Sequence, residues 1–196
     1  MTRRLLPLLA AASAATVAGA TPALAHLNPG EHGSFAAGLS HPLFGADHIL
    51  AMVAVGLWAW QIGGKAVFAI PAAFVVTMVA GFALALAGVS LPFVEPAILA
   101  SVVALGLLVA LAVRLPLGAG AAIVAVFALF HGYAHGGEIG TATQVAYGLG
   151  FALSTAALHL FGIAIGWSAG QIGSNLTVSR GLGGITALAG VALAAA

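Results

Sequence analysis

Charged side chains are scarce in this sequence, with five lysines and arginines and four aspartates and glutamates among 196 residues, or 5%. An ordinary soluble domain carries about a quarter charged residues. A chain with so few charges could not cover a water-facing surface, so we expect its solvent to be lipid. The net charge of +1 also excludes the basic surface of a nucleic-acid-binding protein.

Cysteine is absent altogether. This excludes a disulfide scaffold, a thiolate metal site and a cysteine nucleophile. Any metal site in the chain must therefore use histidine, carboxylate, methionine, backbone groups or water. What the sequence does contain is 62% hydrophobic residues and 27 glycines, a composition that suits close packing of helices within a bilayer.

The first 25 residues indicate a targeting segment. Arg3 and Arg4 precede an apolar run over residues 5–20, and small residues lead up to Ala25. This is the pattern of a secretory signal peptide, and we predict cleavage after Ala25. His26 would then be the mature N-terminus, outside the cytoplasm. The alternative is an uncleaved first transmembrane helix.

The mature chain contains six apolar stretches, and a transmembrane helix needs about 20 apolar residues. We therefore predict an all-α integral membrane protein in which a signal peptide, residues 1–25, precedes a single six-helix domain, residues 26–196. The predicted helices cover about 42–61, 66–89, 96–113, 117–133, 144–167 and 181–196.

The few charged residues orient these helices. With the mature N-terminus outside, the connections that lie inside contain Lys65, Arg114 and Arg180, and the outside connections contain Glu95 and Glu138. Basic residues favour the cytoplasmic side. We therefore expect both termini on the outer, periplasmic side of a bacterial inner (plasma) membrane.

Most of the histidines lie in clusters with acidic residues. Ionisable groups within a membrane are costly, which makes them candidates for function. By the predicted topology, three clusters face the outer side and one histidine stands alone near the middle of a helix. The outer clusters are His26 with His32, His41 with Asp47 and His48, and His131 with His135 and Glu138, and the lone residue is His159.

His131 and His135 are four residues apart, which places their Cβ atoms roughly 5–6 Å apart on one helical face. Two imidazoles in this arrangement could share one ion. Glu138 could serve as a ligand, as a partner for a histidine N–H group, or as a charge that collects ions at the mouth. The alternative is a pair of histidines hydrated at the membrane interface.

Pro42 suits the first position of a helix, so we predict that it opens the first one. His41 and His48 would then lie about 10 Å apart along a straight helix, too far for one ion to bridge. Either the chain bends at His41-Pro42, or the two histidines act at successive positions on a path. Asp47 could orient a histidine. The alternative for Asp47 and His48 is a hydrogen bond between helices.

The remaining histidines are weaker candidates. His159 could lie on a transport path or could only bond a neighbouring helix. After cleavage, His26 would carry both an amine and an imidazole, and with His32 it could capture an ion. A flexible polar terminus is an equal alternative.

Imidazole ligands suit zinc, copper, iron and nickel, and the lack of cysteine and of a methionine cluster argues against Cu(I). Ligand softness leaves Ni(II), Co(II), Zn(II) and Cu(II) open. No prosthetic group is expected. The expected partners are a divalent metal ion and the lipid bilayer, with no nucleic acid, and a second copy of the chain or a downstream metallochaperone is left open.

Two stretches resemble the signatures of the HupE/UreJ family. The first is HPLFGADHILAMVAVG at 41–56, and the second is FHGYAHGGE at 130–138. The resemblance extends over the leader, the N-terminal histidine and the six helices. It implies a permease for nickel or cobalt, in which the matching positions are His41, Asp47, His48, His131, His135 and Glu138. The alternative from the residues alone is an intramembrane zinc-dependent hydrolase, since three histidines and an aspartate could hold zinc and activate water.

Overall fold

The computed structural model describes residues 34–137, 144–171 and 175–196, and within these ranges the regular structure is entirely helical. The predicted signal peptide and the residues up to 33 lie outside the described part. The helices are α1 (Phe35–Ser40), a 3-10 helix (His41–Leu43), α2 (Ala46–Ile62), α3 (Ala66–Leu86), α4 (Val94–Ala110), α5 (Leu117–Gly137), α6 (Gln144–Gln171) and α7 (Asn175–Ala194).

Four of the described helices, α3, α5, α6 and α7, are long and apolar enough to cross a membrane. A fifth span is formed if α1, the 3-10 helix and α2 are taken together, although this pair is bent by 82°. α4 is a shorter apolar helix of 17 residues. The chain is therefore an all-α, multi-pass membrane protein.

The first predicted helix differs from the observed one. Pro42 does not open α2 but lies in the 3-10 helix, and α2 begins at Ala46 after the extended residue Gly45. A Cβ atom at Gly45 would lie 2.8 Å from Asp47 Oδ1 and 3.2 Å from His48 Nδ1. The chain bends here, and the side chains of Asp47 and His48 fold back over Gly45, so a larger residue at this position would have to displace them.

The last helix also begins earlier than predicted, at Asn175 rather than at 181. Arg180 is thus inside α7, where its Nε donates to the carbonyl oxygen of Ala110 at 2.8 Å. A contact with α4 keeps this charged residue in the helix. The predicted starts at residues 66, 117 and 144 are confirmed, and the remaining helix ends differ from the predicted ones by one to four residues.

Small residues set the helix pairing. A side chain at Gly56 of α2 would collide with the backbone of His159 in α6, and one at Gly162 would collide with Val53. The two helices therefore run parallel in close contact. α3 and α5 are also parallel neighbours, with Gly132 against the backbone of Met78.

At the end of α2 opposite to Asp47, side chains bond carbonyl groups at and just after the end of α4. Trp58 Nε1 donates to Val113 O at 2.8 Å, and Gln61 Nε2 donates to Val109 O at 3.1 Å. The Val109 carbonyl also accepts the backbone N–H of Ala112 at 3.1 Å, as is common in the last turn of a helix. The bonds fix α2 against α4.

The close approach of α3 and α5 gives a stability prediction. A side chain at Gly81 would collide with the backbone of Leu129. Replacing Gly81 by valine should therefore separate the two helices and cost at least about 1–3 kcal/mol of stability. Thermal unfolding in detergent measures this effect. The matched control is Gly184→Val in α7, where an added Cβ meets nothing within 4 Å. Equal losses in both variants would contradict this account of the packing.

Candidate metal site

Four imidazoles meet at one place in the fold, and we call them the histidine cluster: His41, His48, His131 and His135. Nε2 of His48 lies 3.2 Å from Nδ1 of His131 and 2.6 Å from Nε2 of His135. The ring centroid of His41 lies 4.5 Å from that of His135. Three separate elements supply these rings: the 3-10 helix, α2 and α5.

The bend before α2 brings His41 to this place. On a straight helix His41 would lie about two turns from His48, or about 10 Å. The 82° bend instead carries the His41 ring onto His135. Of the two alternatives drawn from the sequence, the described structure has the bent chain.

Asp47 fixes the orientation of His48. Its Oδ1 accepts the backbone N–H of His48 at 2.9 Å and lies 3.1 Å from Nδ1 of the His48 ring. A carboxylate only accepts, so Nδ1 of His48 carries the proton that it donates to Asp47. The other nitrogen, Nε2, then presents a lone pair to His131 and His135.

Ser101 of α4 fixes the orientation of the His131 ring. Its hydroxyl donates to the carbonyl oxygen of Ile98 at 2.6 Å, and it lies 2.9 Å from Nε2 of His131. A hydroxyl has one proton, so Ser101 accepts from the protonated Nε2 of His131. Nδ1 of His131 is then left with a lone pair that points at His48. Ser101 is fully buried, and no pattern in the sequence indicates its role.

The hydrogen-bond partners therefore turn two lone pairs toward each other across 3.2 Å. In these tautomers neither of the two rings donates to the other, so a cation beside the two nitrogens would satisfy both lone pairs. Nitrogen ligands at about 2.0–2.1 Å from one ion lie roughly 3.0–3.3 Å apart.

His135 is closer than that spacing, with its Nε2 at 2.6 Å from His48. Consistent with this, no three His, Asp or Glu side chains in the described ranges already have the geometry of a metal-binding group. To admit an ion, the His135 ring would have to withdraw by roughly 0.5 Å from its present separation.

Aromatic rings of α6 enclose the cluster. The Phe151 centroid lies 4.5 Å from that of His135 and 6.3 Å from that of His48, and Tyr147 lies 5.9 Å from His41. Neither aromatic residue was predicted from the sequence as part of the site. Their spacing of four residues, which continues to Thr155 and His159, is the signal that could have identified this face of α6.

His159 is not part of the cluster. Its centroid lies 5.0 Å from that of Phe74, and the Phe74 centroid lies 5.8 Å from that of His131. The remaining predicted site residues, His26, His32 and Glu138, lie outside the described residues.

Comparison with known proteins agrees with this description. The sequence model described as "HupE / UreJ protein" matches residues 14–193. A relative described as "Protein HupE", from Rhizobium leguminosarum bv. viciae, is 47% identical over 180 residues, which cover 89% of this chain and 92% of that relative. No solved structure matches the chain. The chain belongs to the HupE/UreJ family, a family of nickel/cobalt transporters rather than enzymes.

Proposed function

We propose that this protein is a permease that carries a divalent transition-metal ion, nickel or cobalt, through a path lined by histidine and carboxylate side chains. One observation carries the proposal beyond the family: Nε2 of His48 and Nδ1 of His131 face each other at 3.2 Å. Asp47 and Ser101 hold both rings in the tautomers that leave these nitrogens unprotonated.

In this proposal the histidine cluster receives the ion as it loses water. His41 and His135 complete the nitrogen ligands around His48 and His131, and Asp47 acts mainly through His48. Such a carboxylate–histidine pair orients the ring and makes it a stronger ligand. Outside the described residues, Glu138 would stand at the mouth, and His26 with His32 would capture ions.

The chemistry of these ligands narrows the cargo without deciding it. Imidazole nitrogen suits Ni(II) and Co(II), and also Zn(II) and Cu(II). Nickel and cobalt are preferred because the family transports them. The ion is cargo, and the proposal includes no prosthetic group. Its other partners are the bilayer and either a second copy of the chain or a metallochaperone that takes the ion on the inner side, with no role for nucleic acid.

The proposed topology has six spans after cleavage of the signal peptide behind Ala25, in a bacterial inner membrane. The short helix α4 is counted as a span, which brings the number to six. The proposed orientation is supported by Arg180, which bonds the end of α4 that precedes Arg114. Lys65 follows α2 at the end where Gln61 bonds α4. The three basic residues thus gather at the end opposite to the histidine cluster, and this favours an ion path entered from the outer side, with both termini there.

The zinc-dependent hydrolase is not favoured, because the family consists of transporters. A hydrolase would use the same residues as the permease, so the two functions are distinguished by whether the ion crosses the membrane.

Uptake of metal into proteoliposomes tests the proposed function directly. Purified protein should accelerate uptake of Ni²⁺ or Co²⁺ over liposomes without protein, and Zn²⁺ and Cu²⁺ should follow more slowly. Faster uptake of Zn²⁺ or Cu²⁺ would keep the transport but contradict the assigned metal. Uptake of none of the four ions above the protein-free rate would sink the proposal.

A further inference from the structure

His159 is the most unusual histidine outside the cluster. Its side chain is fully buried in α6, and neither of its ring nitrogens has a hydrogen-bond partner within the part of the chain that the structure describes. By contrast, both ring nitrogens of the equally buried His131 have polar neighbours. Burying a polar group without a hydrogen-bond partner costs free energy, so this position is unfavourable for a histidine that serves only packing.

Two further polar atoms lie on the same path. Thr155 is one turn before His159 on the same face of α6, so the two side chains are neighbours. The Thr155 hydroxyl is fully buried and contacts Sδ of Met78 in α3 at 3.5 Å. An imidazole, a hydroxyl and a thioether thus line a position at the interface of α3 and α6.

We propose that His159, with Thr155 and Met78, forms a second binding position for the transported ion, which we call the inner station. The inference rests on the proposed function and extends it, because it divides the path into two stops. Imidazole and thioether are ligands that borderline and soft transition metals share, whereas Mg²⁺ or Ca²⁺ would need a set of oxygen ligands.

The spacing of the two positions suits a relay. Phe74 contacts both, with its ring centroid 5.8 Å from that of His131 and 5.0 Å from that of His159, so the two imidazole centroids are at most 10.8 Å apart. An ion that passes from the histidine cluster to the inner station would therefore have only a short distance to travel, alongside the Phe74 ring.

The inner station also lies deeper along the path. The backbone of His159 contacts Gly56, which is eight residues beyond His48 on α2. Eight residues of α-helix span about 12 Å. An ion at His159 would thus have crossed more than a third of a hydrocarbon core that is about 30 Å thick.

Replacing His159 by leucine tests the inner station, since leucine fills the space and removes both ring nitrogens. We expect uptake of Ni²⁺ and Co²⁺ to fall at least tenfold while the unfolding temperature stays the same or rises. In a Co²⁺ titration of purified protein, the wild type should bind one ion more than His159→Leu, and the ion at the histidine cluster should bind with unchanged affinity. A purely structural histidine would give the opposite result, a lower unfolding temperature with no change in Co²⁺ stoichiometry.

Leu160→Ala is the matched control, because Leu160 is the next residue of α6 and is 61% exposed on the outside of the bundle. It should leave uptake and stoichiometry unchanged. His159→Gln keeps a polar but much weaker ligand and should also lose the extra ion. The inner station is wrong if both His159 variants transport at the wild-type rate, or if the leucine variant fails to fold.

This outcome is separate from failure of the proposed function. If the wild type carries no ion, the permease itself is wrong. If the wild type carries Ni²⁺ or Co²⁺ and the His159 variants do so equally well, only the inner station is wrong.

Discussion

Replacement of His48 by alanine is expected to reduce uptake of nickel or cobalt by more than about 100-fold. Loss of a residue that only hydrogen-bonds a metal ligand typically costs about 10–100-fold, and His48 is proposed as a ligand itself. Nε2 of His48 lies within 3.2 Å of ring nitrogens of both His131 and His135. Without it, the lone pair of His131 faces no second ligand, and Asp47 has no ring to orient. Initial rates in proteoliposomes measure the effect.

Ile49→Ala is the control for this change. Ile49 is the next residue of α2, and its side chain has no atom that could bind a metal ion. It removes a similar volume from the same helical turn and should transport at close to the wild-type rate. Uptake by His48→Ala at the Ile49→Ala rate would show that the histidine cluster does not carry the ion.

The positions of the clustered histidines could be predicted in part from local geometry. The spacing of His131 and His135 fixes their common face on any helix, whatever surrounds it. The alternation of spans then places His48 on the same side of the membrane as this pair, and in the structure its ring contacts both. These inferences needed only the helical repeat and the thickness of a bilayer.

What could not be predicted depends on contacts between distant parts of the chain. Ser101 is a single hydroxyl in an apolar helix, and its role exists only because His131 packs against it. The bend at Gly45 depends on the side chains that fold over it, and proline misleads because it suits both a helix start and a 3-10 turn. The positive-inside pattern places Arg180 in the connection before the last helix, but in the structure it lies within α7 and bonds a carbonyl oxygen of α4.

Phe74 illustrates the same limit for the path itself. A phenylalanine in an apolar helix is ordinary core packing when only the sequence is considered. Its contacts with both His131 and His159 depend on the parallel packing of α3 with α5 and on the nearby face of α6. The sequence could therefore indicate candidate ligands, but not the aromatic residue that contacts both positions.

Asp47→Asn is expected to weaken binding of the ion by about 10–100-fold, the range found when a partner behind a metal-binding histidine is lost. The substitution preserves shape, so the bend and the helix start remain. An amide can present N–H where the carboxylate presented only an acceptor. If this amide donates to Nδ1 of His48, the ring proton of His48 moves to Nε2, which faces His131. The site for the ion would then hold a proton.

Asp47→Glu separates this tautomer effect from a loss of negative charge. Glutamate keeps the charge and the acceptor but adds one carbon, so it should recover part of the affinity if charge and acceptance matter. Equilibrium Co²⁺ titration provides both affinities, and the unfolding temperature checks that each variant keeps the fold. Wild-type affinity in Asp47→Asn would mean that the carboxylate does not set the His48 tautomer. Only one of the two facing lone pairs, that of His131, would then be explained by a hydrogen bond, the one with Ser101.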